Sequence, residues 1–413
     1  RKLKKKKITK VLFGRDTRIS GKNIEDALFQ GFSSIGVECQ SIGIVSTPMV
    51  SFYTKKFKCD YGIMISASHN PYKDNGVKIF KKNGEKLSDE EEIKNEKNLN
   101  LKKKVNLTKE SIKKKEINFE DYNNFVLKNF SNKINLNGLK IFIDCANGSL
   151  SKIGPKFFSK LGATIISSGC SPNGKNINMK CGAMFPEKLS ESTKKFNADI
   201  GLSFDGDADR VLISDEQGKI LDGDDILSAI STFLKKKKML TNNSIVTTDM
   251  SNLGFREFIK KKKIRLYVSK VGDRYVIKKM KETKSILGGE QSGHIIFSKN
   301  GFCGDGILTS LFIINISLNN MCKVSQIADL FNKFPQELIN IKLKGDAESI
   351  LNNSKFKKLL KNFVNNLNSH ILVRKSGTEN LLRLMVQSKE KLEKKKIINF
   401  LLFEIRNIDE KLK

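Results

Sequence analysis

Residues 63–80 read Ile-Met-Ile-Ser-Ala-Ser-His-Asn-Pro-Tyr-Lys-Asp-Asn-Gly-Val-Lys-Ile-Phe. The apolar run 62–65 has the character of a short buried strand, and 66–76 is dense in Ser, Asn, Pro, Asp and Gly, residues that break strands into loops. A hydroxyl therefore stands where a strand ends. Ser66 and Ser68 flank Ala67, His69 follows the second serine, Pro71 restricts the turn, and Lys78 returns two residues after Gly76. One loop carries a candidate nucleophile, a candidate base and a cation. Taken alone, the same residues describe a Ser/Asn-rich turn between two strands, because sequence neighbours seldom form a catalytic pair.

Outward from this loop the chain alternates strand and helix signals. Residues 10–13 read as a strand, 21–36 as an amphipathic helix, 37–42 as a second strand, and a further helix follows Pro48. This is βαβ wiring with a mainly parallel sheet. Gly14-Arg15-Asp16-Thr17-Arg18 follows the first strand at its carboxyl end, where open α/β sheets bind ligands. Residues 84–122 are polar and read as helices plus a linker. A second unit starts near Asn137, with strands at 139–143, 163–167 and 199–204, the last opening into Asp205-Gly-Asp-Ala-Asp-Arg210. A third repeats the wiring with strands at 244–248, 265–269 and 285–287, and loops 270–274 and 288–294. After Phe334-Pro335 the pattern becomes strand (337–343), helix (353–367), two strands around 374–377, and a final amphipathic helix (389–408), a small α+β unit.

With 413 residues, 38% hydrophobic and including 27 Phe, the chain has material for two to four domains with buried cores. No apolar run reaches the roughly 18 residues a spanning helix needs, and the Lys-rich start has no apolar stretch behind it, so a soluble, cytoplasmic protein without a membrane partner is expected. Seven dispersed Cys without a Cys-x-x-Cys spacing fit reduced packing thiols, and three His make a histidine zinc site an unsuitable reading. The net charge of +32 invites a nucleic-acid partner. Against it, the lysines are spread as solvated runs, no stripe interleaves them with stacking aromatics, and Trp is absent. The scarce arginines say more. Arg15, Arg18, Arg210, Arg274, Arg374 and Arg383 sit in or beside glycine- and acid-containing loops, where a planar fork holds phosphate as an ammonium does not.

Asp205, Asp207 and Asp209 alternate with small residues, so three carboxylates can turn toward one point and suit Mg²⁺ with a phosphate oxygen completing its shell. The alternatives are a solvated acidic turn or a calcium-type loop. Arg210 beside the triplet favours an anionic ligand. Arg374-Lys-Ser-Gly-Thr-Glu379 offers a fork, an ammonium, two hydroxyls and glycine-exposed backbone N–H groups, a phosphate cradle or an ordinary turn. Glu290 and Ser292, with His294, are suited to hydrogen-bond sugar hydroxyls or an amine, although a loop histidine is the plainer account of His294; His370 reads as structural.

With all four loops in this order, the chain resembles the α-D-phosphohexomutase superfamily over nearly its whole length. Ser66-Ala-Ser-His-Asn-Pro71 is similar to its phosphoserine loop, 205–210 to its metal loop, 289–294 to its sugar-binding loop and 374–379 to its phosphate-binding loop. Gln291 before Ser-Gly-His, and Gly272-Asp-Arg-Tyr-Val276, resemble the glucosamine branch more than the glucose and mannose branches. The resemblance implies four domains around a central cleft: 1–122 (phosphoserine), 123–222 (metal), 223–334 (sugar) and a smaller 335–413 (phosphate). It implies that Ser68 carries the transferable phosphoryl group, and that Ser68, Asp205, Asp207 and Asp209 hold Mg²⁺. His69, Lys78, Arg18 and Arg210 then supply charge and proton transfer. Glu290, Ser292, Lys270 and Arg274 bind the sugar, and Arg374, Ser376, Gly377, Thr378 and Arg383 its phosphate.

The implied reaction interconverts glucosamine 6-phosphate and glucosamine 1-phosphate through a 1,6-bisphosphate, which also serves as activator, in a monomer or homodimer supplying UDP-N-acetylglucosamine and cell-wall precursors. A phosphoglucomutase or phosphomannomutase is the alternative within the same chemistry, since hydroxyl against amine at C2 turns on few contacts. A sugar-phosphate-binding remnant is the alternative outside it, because the superfamily's usual opening Gly-Thr-Asp-Gly-Ile-Arg-Gly stretch is not found here. Without it the first sheet is expected to lose an edge and the site an arginine, as in a fragment or a degraded protein. Ala208 stands where glycine is usual, acceptable only at negative φ. Asn380 replaces a usual proline, which is expected to loosen its turn.

Overall fold

The structure, a computed structural model, describes residues 8–97, 112–130, 134–364, 369–375 and 380–411. The first unit runs β1 (Lys10–Arg15), α1 (Ser20–Ser33), β2 (Glu38–Ile44), α2 (Thr47–Lys56), β3 (Tyr61–Ile65), β4 (Val77–Lys81), α3 (Asp89–Lys97) and β5 (Lys113–Lys114), and α4 (Phe119–Leu127) leads out of it. The second has β6 (Lys140–Asp144), α5 (Ile153–Lys160), β7 (Thr164–Ser168), α6 (Pro186–Lys195), β8 (Ile200–Phe204), β9 (Val211–Asp215) and β10 (Ile220–Leu221). In the third are α7 (Gly223–Lys236), β11 (Ser244–Thr248), α8 (Leu253–Lys261), β12 (Arg265–Ser269), α9 (Asp273–Thr283), β13 (Leu287–Gly289), β14 (Ile295–Phe297), α10 (Gly306–Asn320) and α11 (Val324–Ala328). The fourth consists of β15 (Gln336–Lys342), α12 (Ala347–Asn352), α13 (Ser354–Val364), β16 (Ser369–Lys375), β17 (Leu381–Ser388) and α14 (Lys391–Lys411).

Three of the four sheets repeat one design. Their orders are β4-β3-β1-β2-β5, β10-β9-β8-β6-β7 and β12-β11-β13-β14. In each, the unit's first strand is an inner one, flanked by parallel neighbours, and one neighbour is followed by an antiparallel return strand: β3 by β4, β8 by β9, β13 by β14. The fourth sheet, β15-β17-β16, is wholly antiparallel. The four-unit, mainly parallel α/β architecture expected from the sequence is therefore present. Its return strands add a rule that the βαβ reading lacked. Each of the first three polar loops is the turn of an antiparallel pair, so each is delivered at a strand end with both flanks fixed by ladder hydrogen bonds, and Arg374 stands near the end of a strand paired in the same sense with β17.

Burial explains the elements. β8, β9 and β11 are buried along their whole length, as expected for strands covered on both faces. α7 and α10 each bury ten residues and pack together, with the Asp305 carboxylate capping α10 and accepting from Tyr122 Oη at 2.6 Å. One apolar core runs through the first three units, from Leu12 in β1 to Ala328 in α11, whereas the fourth has its own, built on Leu382, Leu384, Val386, Leu401 and Ile405. What ties the fourth unit to the third is largely polar: Leu253 N donates to Gln387 Oε1 at 2.8 Å, Gln291 Nε2 to Gln336 Oε1 at 3.1 Å, and His370 Nε2 lies 2.9 Å from Asp249 O. His370 thus sits at a joint, in keeping with a structural role. The seven cysteines are free thiols.

Candidate active site

The loop after β3 is held from beneath by charge. Asp16, just past β1, accepts from Ser66 Oγ at 2.6 Å and from Arg18 Nε at 2.9 Å, and all three are buried. The other end of the Arg18 fork donates to the carbonyls of Ser68 and Asn70, both at 2.9 Å, of Asp74 at 3.1 Å, and of Pro71. Asn178 Nδ2 reaches the Ser68 and Asn70 carbonyls from the second unit, at 2.8 and 3.0 Å. These bonds hold Ser68 at φ +52°, a conformation that costs an L-residue about 1 kcal/mol. Arg18 is therefore spent on the shape of the loop. Its guanidinium does not face the carboxylates of the metal loop, where the sequence reading had counted it among the cations for transfer.

Ser68 Oγ donates to Asp205 Oδ2 at 2.5 Å and lies 3.5 Å from His69 Nδ1. The two loops touch because residue 206 is glycine: a Cβ there would lie 2.6 Å from the Ser68 carbonyl. Asp205, Asp207 and Asp209 are all buried, and each has a carboxylate oxygen within 4.8 Å of the others'. Ala208 between them has φ +58°, so the expectation of a negative φ is corrected. An alanine takes the left-handed turn because neighbouring bonds fix it, its carbonyl accepting from Gly306 N at 3.1 Å.

Lys78, on β4, brings its ammonium 2.5 Å from Asp207 Oδ2 and 2.8 Å from Asp209 Oδ2, and the Thr47 hydroxyl also donates to Asp207. Burial works against the Lys78 charge, but the two carboxylates outweigh it and hold the amine well above its usual range. Burial, with the charges of Asp209 and Asp207, pushes the Asp205 carboxyl well up. Asp209 is held well below the usual range, its burial overcome by Lys78 and His294. Lys78, Arg210 and His294 are the positive or chargeable groups beside the three carboxylates. Asp207 Oδ1 and Asp209 Oδ1 are buried without a hydrogen-bond partner, the signature of a set of hard oxygens suited to a divalent cation. Glu216, the twelfth residue counted from Asp205, where a calcium loop would close, instead accepts from Ser325 N at 3.2 Å and from the Ser325 hydroxyl. The calcium-type alternative loses its closing ligand.

Arg210 N donates to Asp205 Oδ1 at 3.1 Å, and its Nη1 stands 3.3 Å from His69 Nδ1. Burial first, and then the Arg210 charge, lower the His69 pKa to about 4. From the third unit, the turn between β13 and β14 brings in Glu290, which accepts from Gly272 N at 2.7 Å, with Ser292 Oγ 3.4 Å from its second oxygen. That bond sets the 270–274 segment, with Lys270 and Arg274, beside the sugar-type loop. His294 is buried with Nδ1 3.5 Å from Asp209 Oδ1 and Nε2 unpartnered; burial opposes its charge, but Asp209 raises its pKa. It belongs to the carboxylate cluster, where its sequence neighbours gave no sign of it. Thr47 and Asn178 were likewise not singled out, because each acts across more than a hundred residues of sequence.

Arg374 on β16 and Arg383 on β17 are cross-strand partners. Burial and the Arg383 charge lower the Arg374 pKa, and Arg383 Nε is buried without a partner, so two like charges stand together as an anion would require. Ser376, Gly377 and Thr378 lie outside the described residues. Asn380 donates from Nδ2 to Gly345 O at 3.0 Å. A cavity of about 590 Å³ lined by His69, Asp205, Arg210, Gln291, Ser292 and Leu338 joins three of the loops to the base of the fourth unit.

Comparison with known proteins agrees with this geometry. Four family models match the chain: phosphoglucomutase/phosphomannomutase alpha/beta/alpha domain I over residues 1–104, domain II over 120–218, domain III over 222–334 and the C-terminal domain over 314–401. Among curated relatives, the phosphoglucosamine mutase of Acetivibrio thermocellus is 42% identical over 92% of this chain and 86% of its own length. That of Nautilia profundicola is 42% identical over 95% and 90%. Among solved structures, a phosphoglucomutase/phosphomannomutase family protein from Burkholderia thailandensis superposes with a TM-score of 0.79 at 21% identity, covering 97% of this chain and 89% of that one. Aspergillus fumigatus N-acetylphosphoglucosamine mutase, in complex with GlcNAc-6P and magnesium, gives 0.63 at 18% identity over 93% and 94%. The chain belongs to the phosphoglucomutase/phosphomannomutase family of phosphohexomutases and, within it, groups with the phosphoglucosamine mutases.

Proposed function

We propose that the chain interconverts glucosamine 6-phosphate and glucosamine 1-phosphate by a phosphoryl relay through Ser68. The observation that carries this reading is Ser68 Oγ at 2.5 Å from Asp205 Oδ2, on the rim of a buried carboxylate triad and beside His69 and Arg210. A substrate hydroxyl attacks the phosphorus of phospho-Ser68, the bond to Oγ breaks, and a sugar 1,6-bisphosphate results. Its other phosphate then returns to Ser68 after the sugar turns over in the cleft. His69, neutral at pH 7 and adjacent to Oγ, takes the proton of the attacking hydroxyl and returns it. Arg210 sits where charge spreads over the phosphoryl oxygens, Arg374 and Arg383 hold the phosphate that does not react, and Glu290 and Ser292 fix the sugar between them. Lys270 and Arg274 border the sugar, and Ser376, Gly377 and Thr378 complete the phosphate end.

Asp205, Asp207 and Asp209, with phospho-Ser68, would hold Mg²⁺, whose chemistry when bound is neutralisation of the phosphate charge during transfer. Lys78 then serves as a second positive charge beside the triad. A hexose or hexosamine 1,6-bisphosphate primes the serine. The domain limits that go with this reading are 1–122, 123–222, 223–334 and 335–413, and the setting is a cytoplasmic enzyme, monomer or homodimer, acting ahead of UDP-N-acetylglucosamine and peptidoglycan precursors. Mass spectrometry after incubation with a 1,6-bisphosphate tests the relay: phosphate on the peptide carrying Ser68 is expected, and it disappears with turnover in Ser68→Ala. Undiminished turnover in that variant refutes the assignment.

A further inference from the structure

Glu290 and Ser292 lie in the β13–β14 turn of the third unit, whereas Arg374 and Arg383 lie on β16 and β17 of the fourth. A sugar phosphate held at both ends senses the distance between them. The two units have separate apolar cores, so that distance rests on a few side-chain bonds. One of these bonds starts inside the sugar-type loop itself. Gln291, between Glu290 and Ser292, and Gln336, the first residue of β15, form a reciprocal amide pair. Gln291 Nε2 donates to Gln336 Oε1 at 3.1 Å, and Gln336 Nε2 donates to Gln291 Oε1 at 3.0 Å.

The third-unit half of the pair is anchored on α7. Gln291 Nε2 also reaches Asp224 Oδ2 at 3.4 Å, and Asp224, in the first turn of α7, is fully buried. Gly223 N donates to Gln291 O at 2.9 Å, and a Cβ on Gly223 would lie 1.8 Å from Glu290 O, so the start of α7 packs directly on the loop backbone. Asp224 Oδ2 accepts from Asn252 N at 2.8 Å as well. The Asn252 amide in turn clasps Phe334, accepting from its N–H at 2.9 Å and donating to its carbonyl at 3.0 Å. One carboxylate thus joins the grip on β15 to the grip on the chain two residues before it. Along β15, Asn340 is the ladder partner of Arg383, whose other neighbour is Arg374. A shift of Gln336 along the strand is carried to both arginines.

These partners use both N–H groups of the Gln291 amide and one of its two oxygen lone pairs, while Glu290 and Ser292 on either side remain for the sugar. On the reading of Glu290, Arg374 and Arg383 given above, we infer that Gln291 and Gln336 are positioning residues whose amide pair sets the distance between the sugar-binding turn and the phosphate-binding arginines. Gln291 then acts on the substrate through Gln336 and not by contact with the amine at C2. Loss of the pair weakens the hold on any hexose phosphate alike.

The test uses Gln291→Met and Gln336→Met, singly and together, which keep side-chain length and remove the hydrogen bonds. Each single variant is expected to raise the KM for glucosamine 6-phosphate about fivefold or more, the scale of two lost neutral hydrogen bonds. Its kcat should stay within about twofold, as for a contact made equally in ground and transition states. The double variant should be no weaker than either single one, and the KM for glucose 6-phosphate should rise by the same factor. Hydrogen exchange followed by mass spectrometry should quicken in β15 and β17 in all three variants and stay unchanged in β8 and β11. This readout needs no turnover, so a wild-type chain inactive on sugar phosphates refutes the mutase reading while exchange still decides the pair. Losses that multiply in the double variant overturn the inference, as does a silent Gln336→Met. A loss confined to the amino sugar, or unaltered exchange in β15 and β17, overturns it too.

Discussion

Gly206 is the residue through which the serine and carboxylate loops approach. A methyl group there would meet the Ser68 carbonyl at 2.6 Å, and backbone cannot yield as a flexible side chain would. Gly206→Ala is therefore expected to cost about 1–3 kcal/mol of stability by overpacking. By displacing Ser68 it should also lower kcat about 100-fold. Wild-type kcat would show that the loops do not need this contact. His69 offers a second check. Its pKa of about 4 rests on burial and then on Arg210, so it stays neutral as pH falls until about 4, whereas the unfolded chain takes up this proton near 6.5. The depressed value means that this contribution to stability is present above about pH 6.5 and is lost as pH falls towards 4. In Arg210→Ala the His69 resonance followed by NMR should titrate at higher pH; an unmoved midpoint excludes the Arg210 contribution. Neither the positive φ of Ser68 nor that of Ala208 was legible in the sequence, because each is set by carbonyls tethered from other units.

At the level of elements, the loops were legible and their pairing was not. Ile63, Met64 and Ile65 announce a buried strand, and the serine, aspartate and glycine runs announce turns. β9 has an apolar run, Val211-Leu-Ile, as buried as any, yet an antiparallel return needs no helix and leaves no periodicity to separate it from the strand before. His294 illustrates the same limit, since its partner Asp209 lies 85 residues earlier and only the β8–β9 and β13–β14 turns bring them together. Arg18 has the strongest elemental role, with one carboxylate and four loop carbonyls on a buried fork. Arg18→Gln leaves buried Asp16 without its counter-charge and should destabilise the chain by about 3–5 kcal/mol, measured by denaturant unfolding. A loss below 1 kcal/mol would mean that the loop holds its shape without the fork.

For the molecule as a whole, the division of cores is the informative feature. The first three units share one apolar cluster, and the fourth, which carries Arg374 and Arg383, meets them through Gln387, His370 and Gln336. Polar joints of this kind open at lower free energy than packed cores. Hydrogen exchange should therefore protect the fourth unit less than β8, β9 and β11, and a sugar phosphate bridging Arg383 and Ser68 should raise its protection. Uniform protection across all four units would contradict a separately mobile phosphate end.

The most direct measurement is turnover of glucosamine 6-phosphate, glucose 6-phosphate and mannose 6-phosphate by the chain, with Mg²⁺ and a 1,6-bisphosphate primer, before and after chelation. Turnover is expected to be highest with the amino sugar, to vanish when the metal is chelated, and to return when Mg²⁺ is restored. Preference for a hexose phosphate would contradict the amino-sugar assignment, and turnover that survives chelation would contradict the role given to Asp205, Asp207 and Asp209.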